Sequence, residues 1–211
     1  MGLKESGLRG SLRNVSVGID AIPDPDVYLH DDWGDNQLTS DREDAGETTH
    51  NGVTGFYRPE WTIVTGSPTV VDGQLVMGTG QISVSANIND DESITFELYN
   101  VTVLDGGSSF QFWYQDSDNR WQLDVSESNQ QVKLVKRVEG SFTDVIEANV
   151  DSVSNIDVRL ERDDTDNWTL FVNDSEEGSA ADNYEPTMSE VQINPFGGNE
   201  DDTILDEIKL S

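Results

Sequence analysis

Residues 110–125 alternate between apolar and polar side chains with a period of two, which predicts a β-hairpin. Its arms, 110–115 and 120–125, flank a polar turn at 116–119. The face expected to pack on the core carries Phe110, Phe112, Tyr114, Trp121, Leu123 and Val125. The opposite face carries Gln111, Trp113, Gln115, Arg120, Gln122 and Asp124. A tryptophan is therefore expected among amides and charges on an outward face.

Short alternating segments of the same kind fill the chain from residue 27 to residue 211, separated by glycine, proline and polar turns. About a dozen strands are expected in all. Between the first strand and the others, residues 34–55 are interpreted as a polar, acid-rich loop. No segment of this body predicts a helix, and the pattern is typical of an antiparallel β-sandwich.

Residues 1–26 differ from this body because they are basic and lack alternation. Their apolar and cationic positions are Leu3, Lys4, Leu8, Arg9, Leu12, Arg13 and Val15. Pro23 and Pro25 end the segment as a stiff linker, so we expect an arm at 1–26 and a sandwich at 27–211. We interpret the arm as an anchor that docks in a larger assembly. A frayed terminus or an expression remnant is the alternative.

Composition changes this picture mainly through charge. The chain has 42 acidic and 12 basic residues and a net charge of -30. Because the acids are scattered through the predicted strands, we interpret them as the surface of a protein adapted to very high salt. Nucleic acid is excluded as a partner by the lack of a basic patch in the body. There is no cysteine, and no apolar run predicts a membrane span or a secretion signal.

The order of strand and turn motifs from residue 27 to residue 211 resembles the concanavalin A-like jelly roll, the superfamily of laminin G-like and legume-lectin-like glycan-binding domains. The motifs are Asp31-Asp32-Trp33, Trp61-Thr62-Ile63-Val64, Val71-Asp72-Gly73-Gln74-Leu75, Arg120-Trp121-Gln122-Leu123, Ile156-Asp157-Val158-Arg159-Leu160, Leu170-Phe171-Val172-Asn173-Asp174 and Leu205-Asp206-Glu207-Ile208-Lys209-Leu210. The resemblance implies an all-β antiparallel sandwich whose last strand returns beside the first.

That return would bring Asp206 close to Asp31 and Asp32, and three carboxylates at one place would suit an oxygen-ligated calcium ion. Two further acidic clusters, 163–167 and 199–202, are interpreted as solvated turns rather than as metal sites.

The segment Gly2-Leu3-Lys4-Glu5-Ser6-Gly7-Leu8-Arg9-Gly10-Ser11-Leu12-Arg13-Asn14-Val15-Ser16 is similar to the leader of structural proteins of haloarchaeal tailed viruses. This second resemblance implies a virion protein, either a capsid decoration or turret or a tail-associated component, that is made in the host cytoplasm. Its expected partners are other virion proteins, which the arm contacts, and further copies of the chain in a homo-oligomer.

The glycan-binding face expected of this fold lies on the polar side of neighbouring strands. Its predicted residues are Glu97, Tyr99, Gln111, Trp113, Gln115, Arg120, Gln122 and Asp124. Sugars have apolar ring faces and outward hydroxyls, which an aromatic side chain flanked by amides and charges can match. Host surface glycans are thus the expected ligands. A solvated outer face or a subunit contact is the alternative.

Catalysis is not expected. Retaining glycosidases of this fold carry a Glu-x-Asp-x-x-Glu run on one strand, and the nearest candidate, 97–102, keeps only its first acid. His30 and His50 have no nucleophile arranged beside them in the sequence. Two other classes stay open: a purely structural decoration protein without a ligand, and a glycan hydrolase of the sandwich type.

Overall fold

The computed structural model describes residues 29–34, 37–38, 46–50, 53–57, 59–85, 93–196 and 203–211, and it describes 46–50 and 53–57 by their backbone alone. The arm predicted at 1–26 lies outside the described residues, as does the acidic cluster 199–202. Within the described part of the chain, no helix has the length and apolar character needed to cross a membrane.

The described residues form eighteen strands and no helix. In chain order the strands are β1 (Leu29–Asp31), β2 (Gly46–His50), β3 (Val53–Tyr57), β4 (Thr62–Thr65), β5 (Thr69–Val71), β6 (Gln74–Val76), β7 (Gln81–Ser85), β8 (Ile94–Val103), β9 (Gly107–Asp116), β10 (Asn119–Ser126), β11 (Gln131–Val138), β12 (Ser141–Asn149), β13 (Ile156–Arg162), β14 (Asn167–Val172), β15 (Ser175–Ala181), β16 (Glu190–Phe196), β17 (Thr203–Leu205) and β18 (Glu207–Leu210). The predicted all-β class is confirmed.

Two sheets pack against each other over a single core. Sheet A has the order β15-β14-β13-β8-β18-β1-β3-β2, with β5, β6 and β17 attached beside it. Sheet B has the order β12-β11-β10-β9-β16-β7-β4. All pairings are antiparallel except that of β1 with β3. The architecture is the antiparallel sandwich that the sequence predicts.

The first and last strands are neighbours, as the resemblance implied. Strand β1 pairs with β18 in antiparallel fashion, and Asp31 lies opposite Ile208. On its other side β1 pairs with β3. The prediction of a loop at 34–55 is wrong in part, because β2 and β3 form a hairpin there. Strand β3 pairs with β1, and β2 pairs with β3. Long-range backbone pairing of this kind is not visible in local alternation.

Aromatic side chains from both sheets meet at Trp168 in β14. Its ring centroid lies 4.8 Å from that of Trp121 and 5.9 Å from that of Phe112, which stacks on Phe96 at 4.8 Å. All four side chains are at most 1% exposed. Burying rings of this size contributes several kcal/mol each, so the cluster is a main source of stability.

Trp113 belongs to this core, and the prediction that it faces outward is wrong. It is 0% exposed, lies opposite Trp121, and its ring centroid is 6.3 Å from that of Trp168. The reason is a β-bulge in β9: the register with β10 shifts between Trp121 and Leu123, and the register with β16 shifts at the same place. A bulge inserts one residue, so Phe112 and Trp113 both point inward.

The bulge also reverses Tyr114. Its partner across the strand pair is Arg120, and paired residues share a face, so Tyr114 lies on the outer side of sheet B. It is only half-buried and is not part of the core. The other five residues predicted for the core side of the hairpin are buried: Phe110, Phe112, Trp121, Leu123 and Val125.

Candidate functional site

The outer face of sheet B carries an open groove of about 350 Å³ that crosses the middle strands. Its lining residues are Ser109, Gln111, Arg120, Gln122, Asp124, Val135, Phe142, Asp144, Asn194 and Phe196. They come from strands β9, β10, β11, β12 and β16, which are neighbours in the sheet. The volume lies at the low end of the range of small-molecule sites, about 300–1,000 Å³.

Polar side chains form the floor of this groove. Alternate residues of β10 are joined in a chain of hydrogen bonds, because side chains two residues apart point to the same face of a sheet. Arg120 Nε donates to Gln122 Oε1 at 2.7 Å. Gln122 Nε2 in turn donates to the two carboxylate oxygens of Asp124 at 2.8 and 3.0 Å. These bonds hold each side chain in one orientation, so the floor is preorganised.

Gln111 on β9 lies beside these hydrogen-bonded residues but is not bonded to them. The side chain is only 3% exposed and lines the groove, yet its amide makes no hydrogen bond to any residue that the structure describes. The amide can both donate and accept, so it has hydrogen-bonding capacity left for a ligand in the groove. Gln111 is therefore a group on which a bound molecule can act.

Two exposed aromatic rings stand at the sides of the groove. Phe142 on β12 is 57% exposed, and Phe196 at the end of β16 is 42% exposed. Phe196 occupies the space above Gly107, where an added Cβ would lie 2.4 Å from its ring. Large exposed apolar groups beside buried polar ones are the arrangement found in ligand sites rather than in ordinary solvated faces.

Burial also changes the acid–base properties of the floor. It raises the pKa of the Asp124 carboxyl above its ordinary value, while the hydrogen bonds from Gln122 and the charge of Arg120 act in the opposite direction. Burial lowers the pKa of the Arg120 guanidinium, and the nearby charge of Arg137 adds to this effect. The guanidinium nevertheless stays charged, because arginine side chains are not deprotonated in proteins.

Four of the eight residues predicted for the glycan face come together in this groove, namely Gln111, Arg120, Gln122 and Asp124. The other four do not. Besides the buried Trp113, Gln115 lies at the exposed end of β9, where its Oε1 accepts a hydrogen bond from the backbone of Thr187 at 3.0 Å.

Glu97 and Tyr99 lie on the other sheet. The prediction placed them beside β9, but β8 belongs to sheet A and pairs with β13 and β18. They line a smaller hollow of about 110 Å³, where the Tyr99 hydroxyl donates to Glu97 Oε1 at 2.9 Å. Burial and this bond raise the pKa of Tyr99. The single polar face predicted for these strands is thus two faces on opposite sides of the sandwich.

The acids of the predicted calcium site have other partners. Asp31 is fully buried and accepts hydrogen bonds from the backbone of Trp33 at 2.9 Å and from Trp61 Nε1 at 2.8 Å. Asp206 accepts from Gln74 Nε2 at 2.5 Å and from Asn100 Nδ2 at 2.6 Å.

Asp32 accepts a bond from the backbone of Gly34 at 3.1 Å. Among the described residues, no three His, Asp or Glu side chains converge as metal ligands would. Asp31 and Asp206 therefore act as hydrogen-bond acceptors in the described residues, and calcium stays a prediction.

Several groove residues were absent from the sequence prediction, above all Phe142 and Phe196. The alternation of β12 gives a misleading signal for Phe142, which is spaced by twos from the buried Ile146 and Ala148. The register of β12 with β11 shifts between Phe142 and Ile146, so counting by twos from the core places Phe142 inside. No local pattern in the sequence marks Phe196. The pairing of β16 with β9 brings it to the groove.

Comparison with known proteins gives matches in structure but not in sequence. No protein-family model matches the chain, and no curated protein sequence matches it. Among solved structures, the carbohydrate-binding module CBM66 from Bacillus subtilis is 20% identical, with a TM-score of 0.50 over 69% of this chain and 90% of that one.

Two further similar structures have lower identity. The carbohydrate recognition domain of Emp47p is 14% identical, with a TM-score of 0.53 over 71% of this chain and 87% of that one. The binding domain of botulinum neurotoxin serotype D is 8% identical, with a TM-score of 0.56 over 72% of this chain but only 42% of that one. Together with the two packed sheets, these likenesses assign the chain the concanavalin A-like jelly-roll fold.

Proposed function

We propose that the chain binds glycans in the groove of sheet B and that it does so as an adhesive surface protein of a haloarchaeal virus particle. The observation that carries the first part is the groove itself, in which nearly buried polar side chains lie between two exposed phenylalanine rings. A sugar ring has the complementary pattern, with an apolar face and a rim of hydroxyl groups.

Each part of the groove has a role in this proposal. The Gln111 amide and the unoccupied positions of the Arg120 guanidinium donate to sugar oxygens, and the carboxylate of Asp124 accepts from hydroxyl groups. Phe142 and Phe196 cover the apolar faces of the ring. Because the floor is held by its own hydrogen bonds, little conformational entropy is lost on binding.

The similar structures support a glycan ligand. Two of them are named for this role, one as a carbohydrate-binding module and one as a carbohydrate recognition domain. A shared fold leaves the ligand open, so the support from the groove's own chemistry is the stronger of the two.

A glycan array in molar salt tests the proposal. We expect the wild-type protein to bind a subset of glycans and Phe142→Ala to lose this binding by about tenfold or more, as for a central aromatic contact. Leu104→Ala is the matched control, because Leu104 is also 57% exposed but lies outside the groove. Equal binding by the two variants would rule out the groove.

The same samples separate the other two functional classes. A structural decoration protein without a ligand would bind no glycan on the array. A hydrolase would release shorter products from a bound oligosaccharide, which chromatography of the incubated sugar detects. We propose a binding protein rather than an enzyme, so the expected result is retention of the sugar without cleavage.

The virion part of the proposal rests on the sequence alone. The basic arm at 1–26 resembles a haloviral leader, and the acidic surface suits particles exposed to brine.

We expect deletion of 1–26 to leave a folded sandwich that no longer joins the particle. Arg9→Glu with Arg13→Glu should weaken attachment without lowering the melting temperature. Normal assembly of the truncated protein would contradict the anchoring role.

A further inference from the structure

Arg120 is exceptional among the cations of this acidic protein. Every other lysine or arginine in the described part of the chain has a carboxylate within 4.0 Å. These paired cations are Lys133, Lys136, Arg137, Arg159, Arg162 and Lys209. Arg120 has no carboxylate of a described residue within that distance, although acids outnumber bases 42 to 12.

Burial makes this lack of a counter-charge significant. Arg120 is only 8% exposed. Its Nε and Nη1 groups donate to neutral oxygens, those of the Gln122 side chain and the Ser117 backbone, and its Nη2 group makes no hydrogen bond to a described residue. A desolvated charge is costly unless an opposite charge pairs with it. The guanidinium lines the groove, so an anion that enters the groove can supply this pairing.

The acids of the groove leave this position open. Asp144 is paired with Lys133 at 2.8 Å. Asp124 is separated from Arg120 by Gln122 on β10, and both of its carboxylate oxygens accept hydrogen bonds from the Gln122 amide. Beside the guanidinium lies the apolar ring of Phe142, whose centroid is 5.5 Å from Arg120 Cζ. An anionic group next to a sugar ring would therefore meet a cation and an aromatic face together.

On the basis of the glycan site proposed above, we infer that its ligand is an anionic glycan whose carboxylate or sulfate group pairs with Arg120. A planar guanidinium binds either oxyanion through two parallel hydrogen bonds. In molar salt the Debye length is about 3 Å, so only this direct contact and not the overall charge of the protein decides the preference. The acidic surface of the protein repels anions, and pairing with Arg120 would offset this repulsion for a ligand in the groove.

Paired probes test the inference: oligogalacturonate against its methyl ester, and a sulfated galactan oligosaccharide against its desulfated form. Titration in molar salt should give an affinity for at least one charged member that exceeds its neutral partner by about tenfold or more, as expected of a charge-assisted hydrogen-bond pair. The first pair reports a carboxylate ligand and the second a sulfate ligand.

Variants assign the preference to Arg120. Arg120→Gln should reduce the ratio between charged and neutral probes to near one, and Arg120→Lys, which keeps the charge but loses the planar fork, should retain part of it. Arg159→Gln is the matched control, since Arg159 also lies over a phenylalanine ring, at 3.9 Å from Phe171, but on sheet A. It should leave the ratio unchanged.

The outcomes separate this inference from the proposed function. If the neutral probes bind as well as the charged ones, and Phe142→Ala abolishes that binding, the anionic preference is overturned and the groove remains a glycan site. The same holds if Arg120→Gln and Arg159→Gln change the ratio equally. If no probe and no glycan of the array binds, both conclusions fall.

Discussion

Gln111 and Trp113 are two positions apart in β9, yet they lie on opposite faces of sheet B. Simple alternation would put them together, and the extra residue at the bulge separates them. As a result, the amide of Gln111 lies at the floor of the groove, and the indole of Trp113 packs in the core against Trp168. A single inserted residue thus decides which of two neighbouring side chains meets a ligand.

Trp113→Ala should therefore destabilise the fold. Removing a fully buried tryptophan is expected to cost about 3–5 kcal/mol in the free energy of unfolding, measured by denaturant titration in high salt. Gln115→Ala, at the exposed end of the same strand, should cost less than about 1 kcal/mol because it loses only exposed hydrogen bonds, to Thr187 and Asp116. A stable Trp113→Ala protein that had lost glycan binding would instead put this side chain in the binding site.

Asp124 should make the stability of the folded protein depend on pH. Because burial raises its pKa in the folded state, the folded protein binds more protons than the unfolded chain between pH 3.8, the ordinary value, and the raised value. Stability linked to this group falls as the pH rises through that window and stays reduced above it. Asp124→Asn removes the ionised form, so the variant should melt at a higher temperature than wild type near pH 7.

This difference in melting temperature should shrink as the pH falls towards 3.8. Other carboxyls, such as Asp116 and Asp163, have lowered pKa values, but they are common to both proteins and cancel in the comparison. A difference that is constant with pH, or that grows in acid, would contradict the assignment to Asp124.

Individual strands could be predicted from the sequence, but their distribution between the sheets could not. Alternation gave the hairpin of β9 and β10 because its apolar residues recur every second position. Strands β8 and β9 are consecutive and equally well patterned, yet they belong to different sheets. Long-range pairing decides this, and no local pattern encodes it. For that reason Glu97 was wrongly grouped with Gln111, whereas Gln122 and Asp124, on one strand, were grouped correctly.

Register shifts are the second limit, since each one reverses the facing of every later residue in the strand. Trp113 and Tyr114 follow such a shift in β9. Phe142 precedes one in β12, so counting back from the core residues beyond the shift misplaces it. Phe110, which precedes the shift in β9, was placed correctly. The candidate site was therefore predicted in its central strand and missed at its aromatic sides.

The junction of β1 with Trp61 gives a prediction at the level of elements. Asp31→Ala leaves the Trp33 amide and the Trp61 indole without their acceptor, and each unpaired buried donor is expected to cost about 1–3 kcal/mol. This loss should be the same in excess EDTA and in calcium at constant ionic strength, as measured by thermal melting.

The calcium hypothesis makes a different prediction for the same experiment. An ion at Asp31, Asp32 and Asp206 would raise the melting temperature of the wild-type protein as calcium exceeds its dissociation constant. A wild-type melting curve that chelator leaves unchanged would contradict the calcium site. A calcium-dependent effect of Asp31→Ala would contradict the purely hydrogen-bonding role.

At the scale of the whole molecule, charge is the dominant feature. With a net charge of -30, the folded state is opposed by its own repulsion unless salt screens it. Reducing NaCl from about 1 M to about 0.1 M lengthens the Debye length from about 3 Å to about 10 Å. We expect the melting temperature to fall steeply over this range. An unchanged, cooperative melt in dilute buffer would contradict adaptation to high salt.

A glycan bound on the outer face of sheet B should shift the backbone amides that surround it, which amide NMR of the labelled protein detects during titration with a glycan that it binds. We expect the shifted amides to cluster at the groove, around Gln111, Gln122 and Phe142, while those of Glu97 and Tyr99 on sheet A stay in place. Shifts confined to sheet A, with the groove amides unmoved, would contradict binding in the groove.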